Sequence, residues 1–267
     1  MSSSENQDQL SILILSYDGY SDIWQITFDY FFKYWSDCPY KIYLLTNQIN
    51  YPDARVKSLQ IGEDISWSSN VKKALEQIDT MYILTIFDDF ILKSPIDNHV
   101  VEKYVNLCID NDYDYLRLQP EPPPYEKINA DIGRITEGSL YRVSLCNALI
   151  KKETLRQLLM ENENENAWAF EFKGSERSDG FYHFYATYNN IIPYYNAIEK
   201  GKWRKEVLAI AQQYNINVNI RGIHVEEQLS NKWNWLHTIK RKILFEFIPP
   251  KFQRVFLSFY QKIKKSE

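Results

Sequence analysis

Strand-length apolar runs alternate with helix-length amphipathic stretches through the first 118 residues, and that alternation limits the chain to an α/β sheet. Residues 11–16, 41–46, 56–61, 81–87 and 113–118 are short runs rich in Ile, Leu, Val and Tyr, as expected of strands buried on both faces of a parallel sheet. Between them, residues 22–34 space Trp24, Phe28, Phe31 and Phe32 like one face of a helix, with Trp35 just beyond. Residues 68–78 place Val71, Ala74, Leu75 and Ile78 on one side behind Ser68 or Ser69 as a cap. Residues 97–110 read as a third helix. Such alternation predicts an α/β, Rossmann-like, mostly parallel sheet flanked by helices.

The second half is less regular. A Pro-rich loop at 121–125 leads to a strand over 141–150, a helix over 153–160 and a polar loop at 161–166. No internal repeat or low-complexity linker divides the chain. The expected organisation is a disordered segment over 1–10, one domain over 11–231 and a helical tail over 232–267.

Glycine is scarce, eight in 267 residues, and no Gly-x-Gly occurs. The one Gly-x4-Gly pair, Gly133 and Gly138, is followed by Ser139 and Leu140 instead of Lys and Ser/Thr. Both the dinucleotide fingerprint and the P-loop are therefore absent. Cys38, Cys108 and Cys146 are far apart, which indicates neither a disulfide framework nor a thiolate zinc site. No two of His99, His183, His224 and His237 have zinc-ligand spacing. The amino terminus is polar and acidic, without a leader pattern. No apolar run approaches a membrane span. A cytoplasmic setting is expected.

Charge is divided unevenly. Residues 232–267 hold nine Lys/Arg against two Glu, a net +7, so residues 1–231 carry −11 of the total −4. The basic tail is also apolar, at 243–248 and 255–260 on either side of Pro249 and Pro250. Two short amphipathic helices lying on an anionic membrane would use that mixture, and so would a helix docked on the domain with solvated lysines. Nucleic-acid binding is not expected of so acidic a body.

Asp88 and Asp89 follow the fourth apolar run directly. Carboxylates there stand at the carboxyl edge of the sheet, where open α/β folds bind ligands. Neighbouring residues at a strand end face opposite ways, so one Asp can take a divalent cation and the other can accept from sugar hydroxyls. Asp residues also cap turns, which is the structural alternative.

Trp67 and Asn70, followed by a strand ending in Asp88 and Asp89, resemble the donor half of glycosyltransferases of the GT-A fold. The first strand, ending in Ser16, Tyr17 and Asp18, resembles the one whose end holds the nucleotide base. Residues 141–155 and the pair Trp168 and Glu171 resemble bacterial capsule and lipopolysaccharide glycosyltransferases; the resemblance covers about 11–205. Phe87 stands where many relatives have the first acid of the triplet.

The resemblance implies transfer of a hexose or N-acetylhexosamine from a nucleotide-diphosphate sugar, UDP-linked by expectation, to a lipid-linked glycan acceptor. It implies Ser16, Tyr17, Asp18, Trp67, Asn70, Asp88 and Asp89 around the donor, and a Mn2+ or Mg2+ ion on Asp89 and His224, with His183 as the other histidine. Glu171 is the expected base for the acceptor hydroxyl, with Asp179 as runner-up. Trp67, Trp168 and Trp203 are candidates for sugar stacking, and Arg142, Arg177 and Lys202 for neutralising diphosphate. The enzyme would be attached peripherally to the inner membrane face. Two other readings stand beside this one: a catalytically silent nucleotide-sugar or carbohydrate-binding homologue, and a membrane-associated scaffold.

Overall fold

The computed structural model describes residues 8–159, 165–181, 183–224 and 248–255. Its first half runs β1 (Leu10–Leu15), α1 (Trp24–Tyr34), β2 (Lys41–Thr46), β3 (Val56–Gln60), α2 (Trp67–Leu75), β4 (Tyr82–Phe87), β5 (Phe90–Leu92), α3 (Asn98–Asp110) and β6 (Tyr115–Arg117). Then come β7 (Glu126–Lys127), β8 (Ile132–Arg134), β9 (Ala148–Lys151), α4 (Lys152–Leu158), α5 (Ala167–Arg177), β10 (Phe184–Thr187), β11 (Tyr194–Asn196), β12 (Ile198–Glu199), β13 (Lys202–Trp203) and α6 (Leu208–Gln213).

Nine strands form one sheet in the order β3-β2-β1-β4-β9-β6-β10-β8-β7. β3, β2, β1 and β4 are parallel to one another, and only β9 and β8 run against the common direction. The sheet is thus mostly parallel and flanked by helices. Alternation along the strands sends side chains to opposite faces. Leu10, Ile12, Ile14, Leu84 and Ile86 pack with α1 and α3 on one face, through Phe28, Phe31, Tyr104 and Val105. Leu13, Leu15 and Ile83 pack on the other with Val71 of α2, Leu155 of α4 and Phe170 of α5. Every residue of β1 is buried, as its unbroken apolar run requires.

Some local expectations change. The cap of α2 is Ser66, whose side chain accepts from the Ser69 N–H, so the helix starts earlier than a Ser68 or Ser69 cap implies. Ser68 is instead buried, its hydroxyl donating to Glu165 at 2.6 Å. Only the end of the apolar stretch at 141–150 is strand, because Tyr141 and Asn147 adopt positive φ and turn the chain before β9. The short β5, β7, β8 and β10–β13 carry too few residues for a periodicity to register.

Residues 250–255 are helical and docked. Gln253 is fully buried and accepts from the Leu140 N–H at 3.1 Å. Arg254 pairs with both Asp179 oxygens at 2.7 and 2.8 Å and donates to the Ser139 carbonyl. Gly138, at φ +78°, is required there, since a Cβ would lie 2.4 Å from the Lys251 Cα. The docked alternative therefore describes this part of the tail, although Phe252 and Val255 remain exposed. Segments 225–247 and 256–267 lie outside the described residues, as do residues 1–7 of the segment expected to be disordered over 1–10; residues 8–10 are described, and Leu10 opens β1. Among the described residues, no helix is long and apolar enough to cross a membrane.

Candidate functional site

The register of the central strands brings the first site residues together. Leu15 pairs with Phe87, so Ser16 and Asp88 leave neighbouring strands at the same edge. The Asp88 N–H donates to the Leu15 carbonyl at 3.2 Å, and the Ser16 hydroxyl donates to the Asp88 carboxyl. Trp24 of α1 donates its indole N–H to that same hydroxyl at 2.7 Å, while Thr27 donates to the Asp88 carbonyl. Asp88 is buried, and desolvation first, then the Asp89 charge, pushes its carboxyl well above the usual range.

Asp89 points into a different environment, as alternation dictates. Its carbonyl accepts from the Ala197 N–H at 2.8 Å, and its half-buried carboxylate accepts from the Ile198 N–H. Desolvation raises its pKa to about 7 despite those bonds and the opposing pull of Arg221. Arg221 is a residue that periodicity did not reveal, because it lies in an irregular segment 132 positions from Asp89 in sequence. It pairs with Asp22, donates to the Gly19 carbonyl at 3.0 Å and stands 4.2 Å over the Tyr20 ring. Its charge lowers both Asp88 and Asp89.

The remaining donor-side candidates have mixed fates. Asp18 accepts from the backbone N–H groups of Asn47, Gln48 and Ile49 at 2.8, 2.9 and 3.2 Å, so its carboxylate holds the loop after β2. Tyr17 is 44% exposed, with its ring lying against Gly19 and beside Tyr20. Asn70 donates to Asp64 at 2.5 Å, while its own side-chain oxygen is buried without a partner. Trp67 packs on Phe170 with ring centroids 5.0 Å apart, which makes it a link between α2 and α5 instead of a sugar platform.

On the other side stands Glu171 of α5. Its Oε1 accepts from the Ser144 hydroxyl and the Leu145 N–H, both at 2.9 Å; Oε2 is engaged by neither. Burial raises its pKa. Tyr194, another residue the sequence did not mark, joins the two sides: its hydroxyl is bonded to the Cys146 thiol and lies in the field of both Asp89 and Glu171. Desolvation drives the Tyr194 and Cys146 pKa values up, the thiol to about 12, which leaves both neutral.

Several expected residues are spoken for elsewhere. Asp179 anchors Arg254 and the Gly138 N–H. Arg142 is buried over the Phe184 ring and donates to the carbonyls of Ile135, Ser178 and Phe181. Arg177 pairs with buried Glu165 and donates to the Leu158 carbonyl. Lys202 sits in the β12–β13 hairpin opposite Glu199. Trp203 is fully buried and unavailable to a sugar, whereas Trp168 is 75% exposed.

His183 lies beside Asp114 at the start of β6. The register puts Tyr115 level with Ile83, at the edge opposite Asp88. His224 has its Nε2 3.7 Å from Glu199, the residue after Ile198. Among the described residues no three His, Cys, Asp or Glu side chains form a group that would hold a metal ion. Asp88 and Asp89 thus belong to no preformed cage among the described residues. Two adjacent desolvated carboxyls fit a hard cation only if diphosphate oxygens and water complete its shell.

No protein-family model matches the chain, and no curated protein matches it by sequence. Solved structures similar to it include residues 1–349 of S. aureus TarS, at 12% identity and TM-score 0.46, with 70% of this chain and 59% of that one covered. The same S. aureus protein in complex with UDP-GlcNAc is similar at 13% identity and TM-score 0.47, covering 72% and 59%. Bifunctional IspDF from Campylobacter jejuni is similar at 13% identity and TM-score 0.37, covering 61% and 46%. The chain thus spans about three fifths of the length of the TarS structures it resembles.

Proposed function

We propose that the chain is a GT-A-type glycosyltransferase, one domain over 11–231, that moves a hexose or N-acetylhexosamine from a UDP-linked donor to an acceptor hydroxyl. The observation that carries this reading is the placement of Asp88 and Asp89 at the carboxyl edge of β4, with Glu171 reached across Tyr194. Ser16 and Trp24 hold Asp88 in one rotamer. Asp89 is half-buried, with a carboxyl that desolvation pushes up to about 7. Ser16, Tyr17, Asp18 and Asn70 line the way to the donor's nucleoside, Asp18 by fixing the loop after β2 and Asn70 by offering its unpartnered oxygen.

Asp89, with the second oxygen of Asp88, would hold a Mn2+ or Mg2+ ion, and His224, whose Nε2 is 3.7 Å from Glu199, the residue after the Ile198 that bonds Asp89, is the histidine to test with them. When bound, such an ion supplies charge that stabilises the departing diphosphate. Arg221 supplies a fixed positive charge to the same region. Glu171 takes the acceptor proton: its Oε1 is oriented by Ser144 and Leu145, and burial raises its pKa, which makes it a stronger base than an exposed glutamate. Trp168, exposed one turn before Glu171, is placed to contact a sugar.

A lipid-linked glycan acceptor in surface polysaccharide synthesis, reached from the cytoplasmic membrane face, is supported by the tail's net charge of +7. The decisive experiment is UDP release from UDP-GlcNAc and other UDP-sugars, with and without Mn2+. Turnover in the wild type and its loss in Asp89→Ala supports the enzyme. Tight UDP binding without any turnover supports the silent homologue instead.

A further inference from the structure

Beside the two-stranded ribbon of β5 and β11 lies a cavity of about 350 Å³, to which all three β11 residues contribute. Three amides, Gln119, Asn190 and Asn196, line it together with Tyr194 and Tyr195. Tyr194 is the shared wall. Its ring stacks on Phe90 at 3.8 Å, its hydroxyl lies 3.5 Å from the Gln119 side-chain oxygen, and the same hydroxyl is in the field of Asp89 and Glu171. Asn196 immediately precedes Ala197, the residue whose N–H is bonded to the Asp89 carbonyl. A ligand in this cavity would therefore stand next to the acids without occupying the edge of β1 and β4.

The lining also states what chemistry it accepts. Side-chain amides and phenol hydroxyls both donate and accept, so they suit a ligand with several hydroxyl groups. Among the described residues Arg204 is the one cation in the lining, and its guanidinium bonds Glu199 at 2.7 Å and Glu206 at 2.8 Å. Lys93, 5.4 Å over the Tyr195 ring, lies outside the lining. One Arg against two glutamates leaves this corner with no surplus positive charge for a phosphate or a carboxylate. Its volume is at the lower end of the roughly 300–1,000 Å³ usual for small-molecule sites, enough for a mono- or disaccharide.

We infer that this cavity is a binding site for a neutral saccharide, the terminal sugar of the acceptor; the acceptor role rests on the glycosyl-transfer reading, while saccharide binding does not. Saturation-transfer NMR on the full chain tests it, using glucose, galactose, N-acetylglucosamine and their β-linked disaccharides, with glucuronate and glucose 1-phosphate as anionic counterparts. The expected result is saturation of at least one neutral sugar, without nucleotide, and roughly tenfold weaker binding in Asn190→Ala and in Asn196→Ala, as loss of one hydrogen bond gives. Both side chains are exposed, and thermal melts verify that the variants fold. No saturation of any neutral sugar, saturation by the anions alone, unchanged binding in both variants, or displacement of the sugar by UDP would each overturn the assignment. UDP titration of the same samples separates the readings: a wild type that binds saccharide but not UDP sinks the nucleotide-sugar reading and leaves the cavity's saccharide site standing.

Discussion

Ser16 and Asp88 are 72 residues apart in sequence, yet the hydroxyl of one donates to the buried carboxyl of the other across the ends of two parallel strands. The contact follows from register: β1 and β4 pair residue by residue from Leu10 and Tyr82 to Leu15 and Phe87. Trp24 then donates to the Ser16 hydroxyl, tying α1 to the same point. A buried carboxyl stripped of its donor is expensive, so Ser16→Ala should destabilise the fold by about 1–3 kcal/mol. In a chain of this size that is a fall in Tm of roughly 2–4 °C per kcal/mol. Trp24→Phe removes the N–H together with part of the buried indole, so its cost in the same melt should add a cavity to the lost hydrogen bond.

The acid pair also sets the pH dependence of stability. Desolvation holds the Asp88 and Asp89 carboxyls above the ordinary aspartate range, Asp89 at about 7. The native state therefore holds more protons than the unfolded chain between these values. The stabilisation is full below the unfolded value and is lost as pH rises through the folded one, at no more than about 1.4 kcal/mol per pH unit for each carboxyl. Tm should fall between pH 5 and pH 8. Asp89→Asn should flatten that slope, and Arg221→Ala should steepen it, because Arg221 holds both acids down. A slope unchanged by Asp89→Asn would place the titration elsewhere.

How much of this was readable in advance depends on the element. Apolar runs long enough to show a period gave β1, β2 and β4 to within a residue, and the position of Asp88 and Asp89 at the sheet edge followed from them. Glu171 is marked by the family resemblance of the Trp168–Glu171 segment, not by any periodicity. Arg221 and Tyr194 could not be found, since one sits in an irregular segment and the other in a three-residue strand. The roles of Arg142, Asp179 and Trp203 were misjudged for one reason. Residue type advertises charge or an aromatic face, but burial and tertiary partners decide whether it is free, and those come only from packing.

Asp179 and Arg254 test that point directly. Their bidentate pair, with Gly138 beneath Lys251, holds residues 248–255 against the domain. Arg254→Ala should increase proteolysis and amide exchange in this segment while leaving UDP affinity unchanged. Gly138→Ala should do so more strongly, because its added Cβ meets backbone. Asp179→Asn should behave like Arg254→Ala; a loss of sugar transfer without loss of docking would return Asp179 to the role of base.

The basic tail gives a separable outcome. Lys262, Lys264 and Lys265 contribute to its net +7. Replacing all three by Glu should abolish sedimentation with phosphatidylserine vesicles if electrostatics hold the tail on anionic lipid, each charge near the surface being worth about 1 kcal/mol. UDP release from a soluble donor should stay at the wild-type rate. Equal vesicle binding by both proteins would remove the membrane surface from the proposal.

Glu171→Gln is the sharpest test of the chemistry. The substitution keeps the shape and the acceptor oxygen that Ser144 and Leu145 bond to, so the local structure has no reason to move. Gln cannot accept a proton, however, and removing a general base costs about 10²–10⁴ in rate. Transfer to acceptor should therefore fall by that factor at unchanged UDP affinity. Burial raises the Glu171 pKa, so the ionised side chain weakens the fold, and the variant should be at least as stable as wild type above that pKa. A base at Glu171 also predicts a rate that climbs with pH until the carboxyl is fully ionised, a limb that Glu171→Gln erases. If the variant transfers at the wild-type rate with the same pH profile, the proton goes to another group, and Glu171 is left as the brace between α5 and the 144–145 turn.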